Sequence, residues 1–343
     1  MKKIWLYSVR SYINLGLFFY FRRVHIYNVN LIPKDKPVLL LANHQNALLD
    51  ALLIATKSNR YAYFLTRAGV FKNPIITKIL KSLQMLPVFR IRDGWSNLSN
   101  NKAIFNTCTQ LFNKNEAIVI FPEGNHNIKR TVRPLSKGFI RIIFDTFKEY
   151  PDTDLQLIPV GLNYANAEKF PDSASLFFGE PITAKNFILE NKNKTVLKLK
   201  KQIRIEISKL TTHIPSDNYS ENINKLNNLS INFLKPQKVN KAISSNFKFY
   251  ETLSKNKFSV LKSVFKILLI LLLIIPYAIW KFIALRRIKE VEFVSTFRFA
   301  IAITLVPVWI FIMVIVLTYS FGWVMGLSYI IAVLCSVLVA VKA

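Results

Sequence analysis

Three scarcities in the sequence exclude several classes of protein. Only two of its 343 residues are cysteine, Cys108 and Cys335, so neither a disulfide framework nor a cysteine zinc site can form. The Gly-x-Ser-x-Gly motif of serine hydrolases is absent, so the chain lacks that type of nucleophile. Acidic residues number 19 against 47 Lys and Arg, which gives a formal net charge of +28. This excess favours anionic partners such as lipid, nucleic acid or phosphorylated substrates.

Apolar runs, by contrast, are plentiful: 52% of the residues are hydrophobic and the mean hydropathy is +0.28. Residues 299–317 and 321–341 are each long enough to span a bilayer, with a tight turn between them. The run at 267–285 is interrupted by Pro276 and has basic clusters at both ends. Because the positive-inside rule places both clusters on the cytoplasmic side, we predict a re-entrant or interfacial segment there and a transmembrane hairpin at 299–341.

The rest of the chain divides by composition. Residues 1–23 are apolar and aromatic but contain Arg10 and Asn14, which predicts an interfacial helix, with an ordinary packed helix as the alternative. No cleavage site of a secretory signal follows it. Residues 24–213 form the candidate globular domain. The polar segment 214–262 is interpreted as a linker with one helix, and residues 263–343 as the membrane region.

Short apolar runs alternate with helical patterns between residues 24 and 212. Strands are predicted at 24–29, 38–42, 61–65, 86–92, 117–121, 155–162 and 175–178. Helices are predicted at 47–55, 74–83, 97–114, 135–149 and 195–212. This alternation predicts an α/β domain with a mostly parallel sheet covered by helices. Because Pro159 cannot donate a ladder hydrogen bond, its strand is expected to be short, bulged or near an edge.

The segment 38–50 carries the clearest chemistry. A buried strand ends at His44, and a helix that contains Asp50 follows. Sites in open α/β sheets lie outside the carboxyl ends of strands, and a histidine can accept a proton at neutral pH. A nearby carboxylate can fix its tautomer and stabilise its cation. Since the chain has no serine elbow, the base would activate a hydroxyl of the substrate.

The same residues also admit structural roles. Asn46 can be a helix cap, Asp50 a favourable charge at a helix start, and His44 a hydrogen-bonded loop residue. Six positions on a helix do not share a face. His44 and Asp50 can therefore meet only if His44 precedes the helix.

Four blocks in chain order resemble the glycerophospholipid acyltransferase superfamily, typified by 1-acylglycerol-3-phosphate acyltransferases. They are the His44/Asp50 pair, Phe89-Arg90, Phe121-Pro-Glu-Gly124 and Ile158-Pro-Val160, and the resemblance covers residues 24–212. It implies a membrane-bound enzyme of phospholipid synthesis that moves an acyl chain from acyl-CoA or acyl carrier protein to a hydroxyl of lysophosphatidate. No metal, further cofactor or nucleic-acid partner is implied.

The resemblance also implies roles for single residues. His44 is the expected general base, and Asp50 is expected to orient it. Arg90, Glu123 and Gly124 fall in blocks that bind the acceptor and its phosphate. Pro159 falls in the block associated with the acyl donor.

Two departures from the family pattern concern the acceptor. Five residues separate His44 from Asp50, where four are usual, and some glycerol-3-phosphate acyltransferases look similar to this longer form. The third block usually continues Thr-Arg-Ser, whereas here Asn125 and His126 follow and are candidate head-group contacts. The candidate replacements for the missing phosphate-binding arginine are three nearby basic residues, Lys129, Arg130 and Arg133.

Other functions stay open at this level. Glycerol-3-phosphate, other lysophospholipids and amino-lipids are alternative acceptors. A metal-dependent hydrolase would use His44, Asp50, Glu123 and His126, although no dense motif such as His-Glu-x-x-His occurs. A non-catalytic membrane scaffold and an RNA-binding protein are further alternatives. Basic faces would hold the domain against anionic lipid on the cytoplasmic side of the membrane.

Overall fold

The computed structural model describes residues 2–90, 101–188, 191–250, 252 and 259–343. Within these residues the centre of the fold is one sheet with the strand order β1-β7-β6-β2-β5-β3-β4, and β8 also pairs with β6. The strands are β1 Phe21–Tyr27, β2 Val38–Ala42, β3 Ala62–Arg67, β4 Met85–Val88, β5 Ala117–Ile120, β6 Gln156–Tyr164, β7 Asp172–Phe178 and β8 Ile182–Thr183. Only the pairs β6–β7 and β6–β8 are antiparallel. The predicted mostly parallel α/β sheet is confirmed.

Helices cover both faces of this sheet. They are α1 Lys2–Tyr20, α2 Ala47–Lys57, α3 Pro74–Ser82, α4 Asn101–Asn113, α5 Gly138–Glu149 and α6 Lys192–Leu210. Leu49 and Leu53 of α2 pack on one face, and the buried stripes of α4, α5 and α6 pack on the other. The strand β2 is an unbroken aliphatic run because it is buried on both faces. Parts of two predictions, residues 91–92 and 97–100, lie outside the described residues.

Pro159 is in the interior of the sheet, so the expectation of a short or edge strand was wrong. The nine-residue β6 pairs with β2 on one side and with β8 and then β7 on the other. Pro159 falls between the β8 and β7 pairings, and its carbonyl accepts a hydrogen bond from Gly179 N at 2.8 Å. The missing N–H therefore faces the gap between two partner strands, where it removes no ladder bond.

The segment expected to be a polar linker is folded over residues 214–250. It contains two helices, α7 Tyr219–Asn228 and α8 Pro236–Ser244. Six buried side chains form its own small core: Ile214, Leu226, Ile231, Phe233, Val239 and Ala242. Asn240 donates hydrogen bonds to the carbonyls of Ser208 and Thr211, which ties α8 to the end of α6. Sparse apolar residues at helical spacing were enough here because they pack on one another and hydrogen bonds fasten the segment to α6.

The C-terminal region contains two helices long and apolar enough to cross a membrane. These are Val291–Phe321, which includes α12 Val294–Phe321, and α13 Trp323–Lys342, joined at Gly322. Before them, α9 Ser259–Leu272 is followed by a second apolar stretch, Ile274–Arg287, that contains α10 Ile274–Ala278 and α11 Leu285–Arg287. The two apolar stretches meet at an angle of 97°, which fits a broken span or a re-entrant loop. The described C-terminal helices are therefore candidate membrane spans, and the chain is associated with the membrane.

The N-terminal helix α1 packs closely along α12. A Cβ on Gly16 would lie 2.6 Å from Ile303 Cγ2, so the approach of the two helices requires glycine there. Tyr20 lies at the inner end of α1, with its ring centroid 5.3 Å from that of Phe299. The other face of α1 leaves large side chains exposed: Ile4, Trp5, Tyr7, Tyr12, Leu15 and Phe18. An exposed apolar and aromatic face of this kind favours the interfacial interpretation of this helix.

A buried carboxyl at the start of β7 makes stability depend on pH. Asp172 is 5% exposed and accepts a hydrogen bond from Asn166 N at 2.8 Å. Burial raises the pKa of Asp172 from 3.8 to about 6. The folded state therefore binds the proton more tightly than the unfolded chain, and stability falls as the pH rises through that window.

We expect Asp172→Asn to abolish this dependence and to raise the free energy of unfolding at pH 7 by about 2–3 kcal/mol. Denaturant unfolding of the full chain in detergent at pH 4 and pH 7 measures both effects. Asp152→Asn, an exposed change of the same type, is the control. An Asp172→Asn protein with the pH profile of the parent chain would contradict the prediction.

Candidate active site

His44 and Asp50 are in direct contact at the carboxyl end of β2. His44 Nδ1 lies 2.7 Å from Asp50 Oδ2, with the side chain of His44 17% exposed and that of Asp50 fully buried. The acceptor-only carboxylate places the proton of a neutral His44 on Nδ1. Among the described residues Nε2 has no hydrogen-bond partner. The pair therefore presents an unprotonated ring nitrogen to an incoming hydroxyl.

Asp50 is held by donors on both of its oxygens. Oδ2 accepts from the backbone amides of Gln45 and Asn46, each at 2.8 Å, and Oδ1 accepts from Tyr164 OH at 2.6 Å. Burial, together with the charge of Asp50, raises the pKa of Tyr164 well above its ordinary value, so this hydroxyl stays a donor. Sequence reasoning missed Tyr164, because its approach to Asp50 depends on the pairing of β6 with β2, which only the structure shows.

The turn between β2 and α2 accommodates the additional residue of the His44–Asp50 interval. Ala47 has a φ of 41°, in the left-handed region that alanine rarely adopts. Asn43 fixes the strand end by donating to Leu162 O at 3.0 Å and accepting from Leu162 N at 2.7 Å. His44 thus precedes the helix, as its contact with Asp50 requires, and the longer spacing does not separate the pair.

Two aromatic neighbours confine the His44 ring. Phe121, at the end of β5, stacks on it with the centroids 4.0 Å apart and the planes 17° apart. His126 meets it edge-on at 5.6 Å. These contacts bring the third block to His44 and fix the plane of its imidazole.

Glu123 and Arg133 form an ion pair close to His44. Arg133 Nε donates to Glu123 Oε2 at 3.0 Å, and Arg133 N donates to Glu123 Oε1 at 3.2 Å. The guanidinium also contacts Asn125 and donates to His44 O at 3.4 Å. Burial raises the pKa of Glu123, although the charge of Arg133 opposes the shift. The positive charge of Arg133 is therefore largely neutralised by Glu123 within the protein.

Three further residues were predicted as contacts of the acceptor: Arg90, Gly124 and Lys129. Arg90 Nη1 donates to Gly124 O at 3.2 Å, which joins the second block to the third at the mouth of the site. Gly124 itself has a φ of 77° and open space where a Cβ would be. Lys129 is exposed, with its ammonium 5.5 Å from the centre of the Tyr219 ring.

Arg130 is not available to a phosphate, which corrects the sequence expectation. Its guanidinium donates to Tyr164 O at 2.8 Å and Ala165 O at 2.9 Å and lies 3.8 Å from the centre of the Phe233 ring. Burial lowers the pKa of Arg130 to about 10. These contacts join β6 to the helical segment at 214–250, a structural role that the position of Arg130 in the sequence did not reveal.

Pro159 is likewise buried in β6, where it pairs with Leu41 of β2. A role at the acyl donor stays a prediction.

The four residues that a metal-dependent hydrolase would use do not form a group of metal ligands. They are His44, Asp50, Glu123 and His126. Asp50 is bonded to His44 and Tyr164, and Glu123 is bonded to Arg133. The described residues contain a different group of metal-type ligands, His126 with Glu290 and Glu292. The two glutamates lie just before α12, and the sequence contained no signal that they approach the site.

Comparisons with known proteins agree with this geometry. Residues 23–163 match the family model described as Acyltransferase. An uncharacterized acyltransferase of Schizosaccharomyces pombe is 32% identical over 80 residues, which is 23% of this chain and 12% of that protein. Glycerol-3-phosphate O-acyltransferase 1 of Saccharomyces cerevisiae is 34% identical over 68 residues, 20% of this chain and 9% of that protein. The matches thus span only a small part of these relatives.

A solved structure, the 1-acyl-sn-glycerophosphate acyltransferase of Thermotoga maritima, is similar at 20% identity with a TM-score of 0.43, over 60% of this chain and 80% of that one. The strand-end histidine, its buried aspartate and the matched region define an acyltransferase domain. The resemblance to acyltransferases that the sequence predicted is thereby confirmed for residues 23–163.

Proposed function

We propose that the protein is a membrane-bound O-acyltransferase that acylates a glycerol hydroxyl of lysophosphatidate or a related glycerolipid. The observation that carries the proposal is the arrangement of His44, Asp50 and Tyr164, which leaves His44 Nε2 open beside the third block. The acyl donor is acyl-CoA or acyl carrier protein.

The proposed reaction follows from this arrangement. His44 Nε2 takes the proton of the acceptor hydroxyl while the oxygen attacks the thioester carbonyl. The C–S bond breaks, and the departing thiolate receives the proton from the imidazolium. Buried Asp50 stabilises that cation and holds the ring in place. General-base catalysis of this kind typically contributes about 10²–10⁴-fold in rate.

Glycerol-3-phosphate is the second candidate acceptor. Two relatives carry this substrate in their names, glycerol-3-phosphate O-acyltransferases 1 and 2 of Saccharomyces cerevisiae. The five-residue interval between His44 and Asp50 is also similar to the pattern of some such enzymes. Arg90 at the mouth of the site is the predicted contact for the phosphate of either acceptor.

We propose that the membrane region holds this chemistry at the lipid surface. We propose that α12 and α13 form the hairpin, that 267–285 re-enters from the cytoplasmic side, and that the catalytic domain lies on that side. The exposed apolar face of α1 and the basic residues of the domain would then contact anionic lipid.

One experiment tests the reaction and the side together. Inside-out and sealed right-side-out vesicles that contain the protein receive labelled acyl-CoA, which does not cross the membrane, or labelled acyl carrier protein. Lysophosphatidate, glycerol-3-phosphate and a lysophospholipid are offered in parallel. We expect transfer to one acceptor in inside-out vesicles alone. Transfer to none of them would contradict the proposed reaction, and equal transfer in both preparations would contradict the proposed side.

A further inference from the structure

A short segment just before α12, at the start of the first long span, lies against the active site. It comprises residues 290–293 and is named here the juxtamembrane strap. Glu290 Oε2 lies 3.0 Å from His126 Nε2, and Glu292 Oε1 accepts from Ile128 N at 3.3 Å. The ring of Phe293 meets the His126 ring edge-on at 4.6 Å. The strap thus joins the membrane region to the third block, next to His44.

We propose that His126, Glu290 and Glu292 form a binding site for a divalent transition-metal cation beside the general base. Each residue offers one ligand atom, and these atoms lie within 4.8 Å of one another. An imidazole nitrogen with two carboxylate oxygens is a donor set that suits Zn²⁺ or Mn²⁺. Three protein ligands leave further positions open for water or a substrate oxygen, as catalytic metal sites do.

The distribution of charge supports a cation at this point. In a chain with a net charge of +28, two carboxylates lie together at the mouth of the site. Within the described part of the chain, Glu292 forms no ion pair with a lysine or arginine. Two neighbouring carboxylates repel each other, and a doubly charged ion bound between them removes that repulsion.

A cation here would also supply what the third block lacks. The usual arginine is replaced by His126, and the guanidinium of Arg133 is paired with Glu123. An ion held by His126 would bind a phosphate oxygen of the acceptor in an open position. This position would be close to His44, because the ring centroids of His126 and His44 are 5.6 Å apart. This role rests on the proposed function; the metal site itself does not.

The test uses the full-length protein in detergent after removal of metal by a chelator and dialysis. Mn²⁺ and, separately, Zn²⁺ are added alone, and bound metal is measured by calorimetry and by elemental analysis. We expect one equivalent per chain. The double variant Glu290→Gln/Glu292→Gln should bind at least about tenfold more weakly, since it loses both anionic ligands.

A matched double variant, Glu206→Gln/Glu221→Gln, removes two surface carboxylates that pair with lysines and should bind as the parent does. Equal binding by the parent and by the strap variant would mean an adventitious ion and would overturn the proposal. So would a parent chain that binds neither metal. Because no substrate is present, these outcomes are independent of whether acyl transfer occurs.

The link to the acceptor has its own measurement. The paramagnetic resonance spectrum of bound Mn²⁺ should change when lysophosphatidate or glycerol-3-phosphate is added, if phosphate enters an open position. The corresponding uncharged acylglycerol or glycerol should leave the spectrum unchanged. A spectrum insensitive to both phosphate compounds would overturn the role in acceptor binding.

Discussion

Replacement of His44 by alanine is expected to lower the rate of acyl transfer by about 10²–10⁴-fold. Among the described residues, only His44 combines an open ring nitrogen at a strand end with a buried carboxylate behind the ring. Without it, the acceptor hydroxyl must lose its proton to water, and no other described residue is placed to take the proton in the same geometry. Initial rates with labelled acyl-CoA and the acceptor identified in the vesicle assay measure the loss.

His25→Ala provides a matched control for that change. His25 lies on β1, an edge strand of the sheet, and its ring stacks on that of Tyr27. It is not part of the site around β2. We expect its rate to stay close to that of the parent chain. A His44→Ala protein that folds and retains the parent rate would show that His44 is not the base, and the proposed mechanism would fail.

Asp50→Asn should have the next largest effect, a loss on the order of 10²–10⁴-fold in kcat. The carboxylate accepts bonds from two backbone amides, from Tyr164 OH and from His44 Nδ1. Asparagine has one acceptor oxygen, so its amide must face one of these donors. The change removes the charge that stabilises the imidazolium and disturbs the tautomer that leaves Nε2 unprotonated.

Single-turnover kinetics separate this effect from substrate binding, because the loss should fall on the chemical step and leave KM nearly unchanged. Asp35→Asn, an exposed change of the same type in the turn before β2, is the control. Size-exclusion profiles and thermal unfolding check that the variant folds. A folded Asp50→Asn protein with a parent-like kcat would mean that Asp50 serves only to hold the turn.

Local pattern was sufficient for most of the sheet domain. The runs that became β2 and β5 are short and wholly aliphatic, and both are buried on two faces of a parallel sheet. Patterns of this kind depend on neighbours in sequence, so they can be read without the tertiary structure. The pairing of His44 with Asp50 also followed, since only one arrangement of strand end and helix start lets them meet.

Long-range packing decided what sequence reasoning missed or assigned wrongly. Arg130 lies among basic residues in the sequence. The orientation of its side chain is nevertheless set by contacts with the carbonyls of Tyr164 and Ala165 and with the ring of Phe233. Pro159 is tolerated in the sheet interior because it lies between the residues of β6 that pair with β8 and those that pair with β7. The segment at 214–250 folds because its few apolar side chains pack on one another and Asn240 ties it to the end of α6.

By itself, the sequence determined the α/β class, the candidate pair of His44 and Asp50, the acyltransferase resemblance and the apolar C-terminal helices. Each of these depends on residue type and on spacing along a short stretch of chain. The tertiary structure alone decided that Tyr164 completes the support of Asp50. It also decided that Glu290 reaches His126 and that Glu292 reaches Ile128, each across 164 residues. Contacts of that separation are set by how strands and helices pack, and no local pattern encodes them.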